Sequence, residues 1–485
     1  MNIFKSFGLY AVGQGINSGI RFILIPYYSF LLSVEDFGKV GIVWMILPVM
    51  MLFIGFGATS TVFLKYYKID EQMRDRFINF VFIATFSLFL LNLLIVMYSY
   101  FFLERMFLLD VEKSIYAKLV CAAYGAFLVE FILSWFKIRI QPKKFVLYNT
   151  MYTILSISFI LYYLIVLKGG FLGFINGTLY GNLSMAVVLL SVYIYSCKTY
   201  EWKIPAALKK SILYLGGPVV LTLIISNVLA YSGRYVLVQL ATMTDVGIYT
   251  MGTRLGDAIY SFFVTPFLTA VTPILFKLAA EDEMLFVSEM KRYFNLYLLV
   301  GFFLVLFANS ILGIVFHFFI HEQYEGSILV AQMSFWGILI FGLSQQVGAV
   351  NVIQERMPLI TVFSVSTGIL NLSLSYFFVP IFGVLGAVIS SLISYTFVFF
   401  LQYISSQRKL YIPYDPPKAL CFFGIALAVF LLQNMVDFMI QIWWCTAVIK
   451  IFLVIVTVYI VHYLKLYDEL DFIVEKIKSA IYKPV

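Results

Sequence analysis

Residues 36–63 read DFGKVGIVWMILPVMMLFIGFGATSTVF. A polar turn of Asp36, Phe37 and Gly38 leads into 24 residues, 40–63, that carry no charge. A helix crossing a bilayer needs about 20 apolar residues, so this stretch is long enough to span. Outward from it the pattern recurs. Apolar runs broken by short polar connectors fall near 8–33, 39–63, 77–102, 114–136, 145–167, 170–196, 210–239, 246–275, 292–316, 326–351, 358–379, 383–406, 419–436 and 441–464, which makes fourteen. The whole chain agrees: 62% of its 485 residues are hydrophobic and only 12% charged, whereas a soluble domain carries about 25% charged residues. The sequence specifies an all-α polytopic membrane protein, and this excludes soluble enzymes, nucleic-acid binders and disulfide scaffolds. The first fifteen residues, MNIFKSFGLYAVGQG, lack a short apolar core followed by a small-residue cleavage site and read as the start of the first span.

Charge tests the parity of the count. With both termini on one side, the connectors of that side and the tail hold 24 of the 33 Lys and Arg residues and 14 of the 25 Asp and Glu residues. The opposite connectors hold five basic and nine acidic residues. The net charge of +8 is therefore the positive-inside asymmetry of an even-span protein, with both termini cytoplasmic. It is not a nucleic-acid footprint. The tail after the last span, 466–485, places Leu470, Ile473, Ile477 and Ile481 near helical spacing, as expected of an amphipathic segment on the cytoplasmic membrane surface.

Landmarks repeat at a nearly constant offset. Asp36-Phe37-Gly38 has a partner 209 positions on in Asp245-Val246-Gly247, Lys65 has one 212 on in Lys277, and Gly170-Phe-Leu-Gly173 has one 213 on in Gly383-Val-Leu-Gly386. The offset is six spans, so both copies share one orientation. The chain reads as two parallel six-helix lobes, 1–200 and 205–408, plus an accessory pair, 419–464, with a cavity between the lobes suited to alternating access.

Ionisable groups inside a bilayer are costly and mark candidate sites. Arg21 lies in the middle of the first span, Arg234 in the seventh, and Arg254 in the eighth with Asp257 three positions later on the same helix face. Arginine stays charged and its planar fork fits phosphate oxygens, so each reads as an anion binder. Arg21 is too deep to snorkel. Arg234 is read equally well as a structural or snorkelled side chain, and Arg254 with Asp257 as a lobe-stabilising ion pair able to open for a ligand. Glu130, near the cytoplasmic end of the fourth span, is within reach of Lys137 or of the cytoplasmic interface and reads as interfacial, while Lys450 in the accessory pair has no evident partner. Polar side chains such as Asn17 and Asn371 serve a wet cavity or helix–helix contacts alike. Four dispersed cysteines and three histidines form no metal or redox motif, so no metal and no cofactor are expected. No phosphate-binding loop, H-E-x-x-H or G-x-S-x-G run occurs. The connectors opposite the termini are also too short for the active-site loop of a membrane glycosyltransferase. Transport, not catalysis, is the expected activity.

The stretch from Ile20 to Tyr67 resembles the Wzx-type polysaccharide repeat-unit flippases of the multidrug/oligosaccharidyl-lipid/polysaccharide (MOP) exporter superfamily. The matching segments are Phe22-Ile-Leu-Ile-Pro26, Leu31-Leu-Ser-Val-Glu35-Asp-Phe-Gly38, Gly55-Phe-Gly57 and Lys65-Tyr-Tyr67, with Val246-Gly247-Ile-Tyr249 in the second lobe. Val34 stands where the family usually has proline, and Lys65 where it often has arginine. The resemblance implies a MATE-like fold and a flippase moving undecaprenyl-diphosphate-linked oligosaccharide, for O-antigen or capsule and exopolysaccharide, across the bacterial cytoplasmic membrane. It further implies Arg21, Arg234 and Arg254 as cavity residues for the diphosphate. H+ or Na+ coupling is implied too, with Asp257 the candidate, as are a polysaccharide polymerase and a chain-length regulator as pathway partners. A cation-coupled drug antiporter of the same superfamily is the alternative, and a lipid II flippase a third. The antiporter would carry acidic groups deep in its lobes, whereas here four basic and two acidic residues lie inside spans.

Overall fold

The computed structural model describes residues 3–55, 69–87, 112–196, 231–440 and 442–464, with single positions at 62, 66, 204, 205 and 227. Every regular element among them is helical. In chain order they are α1 (Ile3–Leu31), α2 (Val34–Gly55), α3 (Glu71–Ser87), α4 (Lys113–Ile138), α5 (Pro142–Leu161), α6 (Gly170–Ser196) and α7 (231–240). There follow α8 (Met243–Ile259, continued by Thr265–Glu281), α9 (Glu283–Phe319), α10 (Ser327–Ile353), α11 (Met357–Phe382), α12 (Val384–Lys409), α13 (Pro416–Met439) and α14 (Trp443–Tyr463). Eleven of the described helices, α2, α4 to α6 and α8 to α14, are long and apolar enough to cross a membrane. The other three mark the expected spans at 8–33, 77–102 and 210–239, the last two lying largely outside the described residues. So do Lys65 and the amphipathic segment expected over 466–485.

The repeated landmarks turn out to be helix punctuation. The Asp36 amide donates to Ser33 Oγ at 3.1 Å at the start of α2. At the start of α8, the Asp245 amide donates to Thr242 Oγ1 at 3.2 Å and the Thr242 amide to Asp245 Oδ2 at 3.0 Å. A hydroxyl followed three residues later by an acid is the capping-box pattern, which satisfies the orphan amides of a first turn. The glycine pair does equivalent work at two hairpins. Gly170 and Gly383 take φ of +52° and +57°, a left-handed conformation that glycine enters without steric cost. These turns separate α5 from α6 and α11 from α12, so neither pair is one long span.

The described chain gathers into two compact units. The first comprises Met1–Leu24, Tyr28–Thr250 and Leu372–Ala387. Within it α4 and α5 both pack along α6, where small residues let backbones approach: a Cβ on Gly177 would lie 2.5 Å from Ile160 Cα, and one on Gly181 2.7 Å from Ser156 Cα. Phe174 of α6 packs edge-on against Tyr28 and Trp44, at 5.9 and 5.8 Å between ring centroids.

The second unit comprises Ile25–Tyr27, Met251–Asn371 and Val388–Val485. Its α8 widens into a π-helical turn over Tyr260–Val264 just before Pro266. Proline cannot donate to the carbonyl four residues back, and a π turn absorbs that missing bond. The turn is packed: Phe263 lies 5.1 Å from Tyr297 of α9, whose hydroxyl donates to Leu339 O of α10 at 3.0 Å.

The accessory helices α13 and α14 pack on α9 through a buried polar knot. Gln433 accepts from Asn309 Nδ2 and donates to Ser310 Oγ, each at 2.9 Å. Lys450, for which the sequence offers no partner, is paired with Asp437 of α13. The pair is asymmetric, with side-chain exposures of 2% for Lys450 and 39% for Asp437. Breaking a buried pair costs most when it strands the buried charge. Asp437→Ala should therefore destabilise the protein by about 3 kcal/mol, and Lys450→Met by clearly less. Thermal melting in one detergent checks the order, and equal losses would refute it.

Candidate functional site

Arg21 sits ten residues before the end of α1, about 15 Å along the helix axis. The exposed apolar stripe of α1 is formed by Ile16, Ile23 and Tyr27. At about 100° per residue, Arg21 falls on the opposite side, among the buried Asn17, Leu24 and Tyr28. Arg21 is nonetheless exposed, and no hydrogen bond or ion pair joins it to any described residue. A bare guanidinium at this depth requires water or a ligand, not hydrocarbon. One turn earlier on the same face, Asn17 is 5% exposed and neither atom of its amide has a hydrogen-bond partner.

Three further helices of the first unit carry a polar network of their own. Tyr152, ten residues into α5, donates its hydroxyl to Asn182 Oδ1 of α6 at 2.9 Å, and Asn182 Nδ2 donates to Ala122 O of α4 at 3.0 Å. Glu130 lies eight residues before the end of α4, about 12 Å in, at a depth close to that of Tyr152. The fields of both Arg21 and Glu130 reach the Tyr152 phenol. Glu130 also interacts electrostatically with Lys137, two turns along its own helix. Lys137 lies over the Phe145 ring at 4.6 Å. The Glu130 carboxylate is exposed and has neither a hydrogen bond nor an ion pair among the described residues. Its charged neighbour is thus Lys137, as its position in sequence suggests.

Arg234 differs from Arg21. It is 4% exposed, and its Nη1 donates to Gly41 O of α2 at 3.1 Å. The guanidinium lies over Tyr231 and Tyr249, at 5.4 and 5.9 Å from the ring centroids. In this conformation the protein itself occupies Arg234. Its burial follows from Tyr231 one turn earlier on α7 and from Tyr249 and the Gly41 carbonyl on two other helices, and spacing along the chain reveals neither of the last two. Arg254 and Asp257 are in the second unit and form the expected ion pair, Nη1 to Oδ2 at 3.2 Å, with side chains 28% and 54% exposed. Tyr152 and Asn182 escaped the sequence reading because one tyrosine among 34 carries no distinguishing signal.

A family model described as "Polysaccharide biosynthesis protein" matches residues 3–279. No curated protein matches the chain. Among solved structures, the lipid II flippase MurJ in an inward closed conformation has a TM-score of 0.70, covering 93% of this chain and 96% of its own at 17% identity. An inward-facing multidrug resistance MATE family transporter of the MOP superfamily has a TM-score of 0.56, covering 84% and 95% at 14% identity. A MOP superfamily transporter from Pyrococcus furiosus has a TM-score of 0.52, covering 84% and 95% at 13% identity. At these identities the likeness is one of fold, and the fold is the MATE-like one that the resemblance implies. The family match covers more than half of the chain, which belongs to the polysaccharide biosynthesis protein family.

Proposed function

We propose that the chain is a flippase that carries undecaprenyl-diphosphate-linked oligosaccharide from the inner to the outer leaflet of a bacterial cytoplasmic membrane. The lobes 1–200 and 205–408 alternate access to a cavity between them, and both termini are cytoplasmic. The observation carrying this reading is Arg21, a permanent cation in mid-span, exposed, on the buried face of α1 and without an ion pair among the described residues. An anionic cargo supplies the missing counter-charge, and a diphosphate fits the guanidinium fork. Arg254 is the second anchor, released when Asp257 yields it. Asp257 so freed is the candidate for H+ or Na+ coupling. Arg234 braces α2 and α8 instead of touching cargo. The family's description, polysaccharide biosynthesis, agrees with a lipid-linked sugar, and a polysaccharide polymerase and a chain-length regulator are the partners proposed downstream. A drug antiporter is disfavoured because an organic cation would meet Arg21 unshielded.

Depletion of the protein in its own host tests the reading. Lipid-linked repeat units should accumulate on the inner leaflet while surface polysaccharide is lost. Normal surface polysaccharide with new sensitivity to cationic drugs would move the protein to the antiporter branch.

A further inference from the structure

We propose that Lys137, Lys143 and Lys144, at the hairpin between α4 and α5, form with the exposed apolar stripe of α5 a binding site for one anionic phospholipid. The inference goes beyond the flippase reading and stands apart from it, since it needs only that α4 and α5 lie in a bilayer.

The hairpin is more basic than its helices require. Residues 137–144 hold Lys137, Arg139, Lys143 and Lys144 and no acid. Arg139 is committed: it pairs with Asp75 of α3 and lies over Trp135 at 4.5 Å. The three lysines are exposed, and no ion pair joins any of them to a described residue. Each helix seats a lysine of the other. Lys137 of α4 lies over the Phe145 ring of α5 at 4.6 Å, and Lys144 of α5 lies 6.0 Å from the Phe136 ring of α4. A ring face holds an ammonium without using its three N–H donors. Both heads are thus placed at one hairpin with donors left for phosphate oxygens.

The second half of the chain shows that the turn itself does not demand these charges. Ile140 and Glu355, 215 positions apart, take φ of +53° and +54°. In each turn the next amide, Gln141 or Arg356, donates to the carbonyl five residues back at 2.9 Å. The backbone is the same, yet residues 352–359 hold one base and one acid. That base, Arg356, turns inward to Asn351 Oδ1 and Ser405 Oγ, at 3.1 and 3.0 Å. A general bias of cytoplasmic connectors toward basic residues acts on both turns alike, so the surplus at 137–144 has a local cause.

The helix below the lysines names the partner. Lys143, Leu147, Met151 and Ile154 follow at steps of four, four and three residues, which keeps them on one face of α5. The three apolar members are 56%, 43% and 53% exposed. A stripe of this kind on a spanning helix suits an acyl chain, and cations at its end suit an anionic headgroup. A phospholipid matches both parts, whereas an acidic peptide matches the lysines alone.

The test titrates the full chain in detergent micelles with fluorescent phosphatidylglycerol or phosphatidylcholine carrying the same acyl chains. The wild type should bind phosphatidylglycerol about tenfold tighter, equivalent to about 1.4 kcal/mol, with the preference shrinking as salt is added. Replacing Lys137, Lys143 and Lys144 together by Gln should abolish the preference and leave phosphatidylcholine binding unchanged. Replacing the exposed Arg408, Lys409 and Lys418 by Gln removes the same charge elsewhere and should keep it. Should the hairpin triple variant fail to fold, Lys143→Glu alone carries the test and should lower phosphatidylglycerol affinity. The site is refuted if the wild type shows no preference, if the hairpin variant keeps it, or if the control variant loses it equally. Displacement of phosphatidylglycerol by equimolar undecaprenyl diphosphate would also overturn the phospholipid assignment and make the hairpin a landing site for cargo.

Discussion

Arg21→Ala is expected to abolish export of surface polysaccharide while the protein persists in the membrane at wild-type level. The guanidinium is exposed, and its removal breaks no hydrogen bond or ion pair among the described residues. What disappears is a cation on the buried face of α1. A hydrogen bond to a charged group contributes about 1.5–3 kcal/mol, and a fork meeting two diphosphate oxygens makes two, so loss of affinity by a factor of 100 or more is the expected scale. Arg21→Lys keeps the charge but presents a point instead of a planar fork and should restore export in part. The comparison separates charge from geometry. Full export in Arg21→Ala would remove the residue from the cargo path, and loss of the protein from the membrane would make it structural.

The same substitution in Arg234 should behave differently, although the two residues look alike in sequence. Arg234 is 4% exposed and bonded to Gly41 O, so Arg234→Ala takes a brace out of packed helices and should lower stability and export together. Depth within a span is legible from sequence because apolar runs have ends. The environment around a helix is not, because it depends on which neighbours the other spans supply. Lys450 illustrates the point: its partner, Asp437, is thirteen positions earlier on a different helix, beyond any spacing rule for a single helix. Tyr152 and Asn182 illustrate it again: their bond joins α5 to α6, thirty positions apart.

Other features were legible, with a different meaning. The acidic landmarks Asp36 and Asp245 sit in the capped first turns of α2 and α8, where their amides donate to the hydroxyls of Ser33 and Thr242 and the Asp245 carboxylate accepts from the Thr242 amide. The repeated glycines of the hairpins open α6 and α12 by positive φ. A duplicated chain keeps such punctuation because each copy must start and stop its helices at the same places. The repeat was therefore detectable through residues that shape the scaffold and not through residues that face the cargo.

Gly247→Ala and Gly38→Ala are expected to have the largest structural effect of any single methyl group added to the molecule. The two glycines, 209 positions apart, meet where α2 and α8 cross. A Cβ on Gly247 would run into the Val34 carbonyl oxygen and lie 2.8 Å from Val34 Cγ1. A Cβ on Gly38 would run into the Met243 carbonyl oxygen and lie 2.9 Å from the Gly247 amide nitrogen. Val34 and Met243 are themselves 209 apart, so each glycine meets the repeat equivalent of what the other meets. This reciprocity is the mark of a two-fold contact. The clashing atoms are mainly backbone and cannot rotate away, so the helix ends must part. Overpacking of this kind costs about 1–3 kcal/mol, enough to shift a two-state equilibrium roughly 5- to 150-fold. Gly41→Ala, whose nearest neighbours are atoms of the Thr250 side chain and not backbone, should be milder because that side chain can turn. A cysteine placed at Val34, 8% exposed, reads the outcome. It should alkylate slowly beside the native glycines and much faster beside Gly247→Ala, with export reduced in parallel. If alkylation and export both stay at the native level, the crossing can part at no cost and this contact does not govern transport.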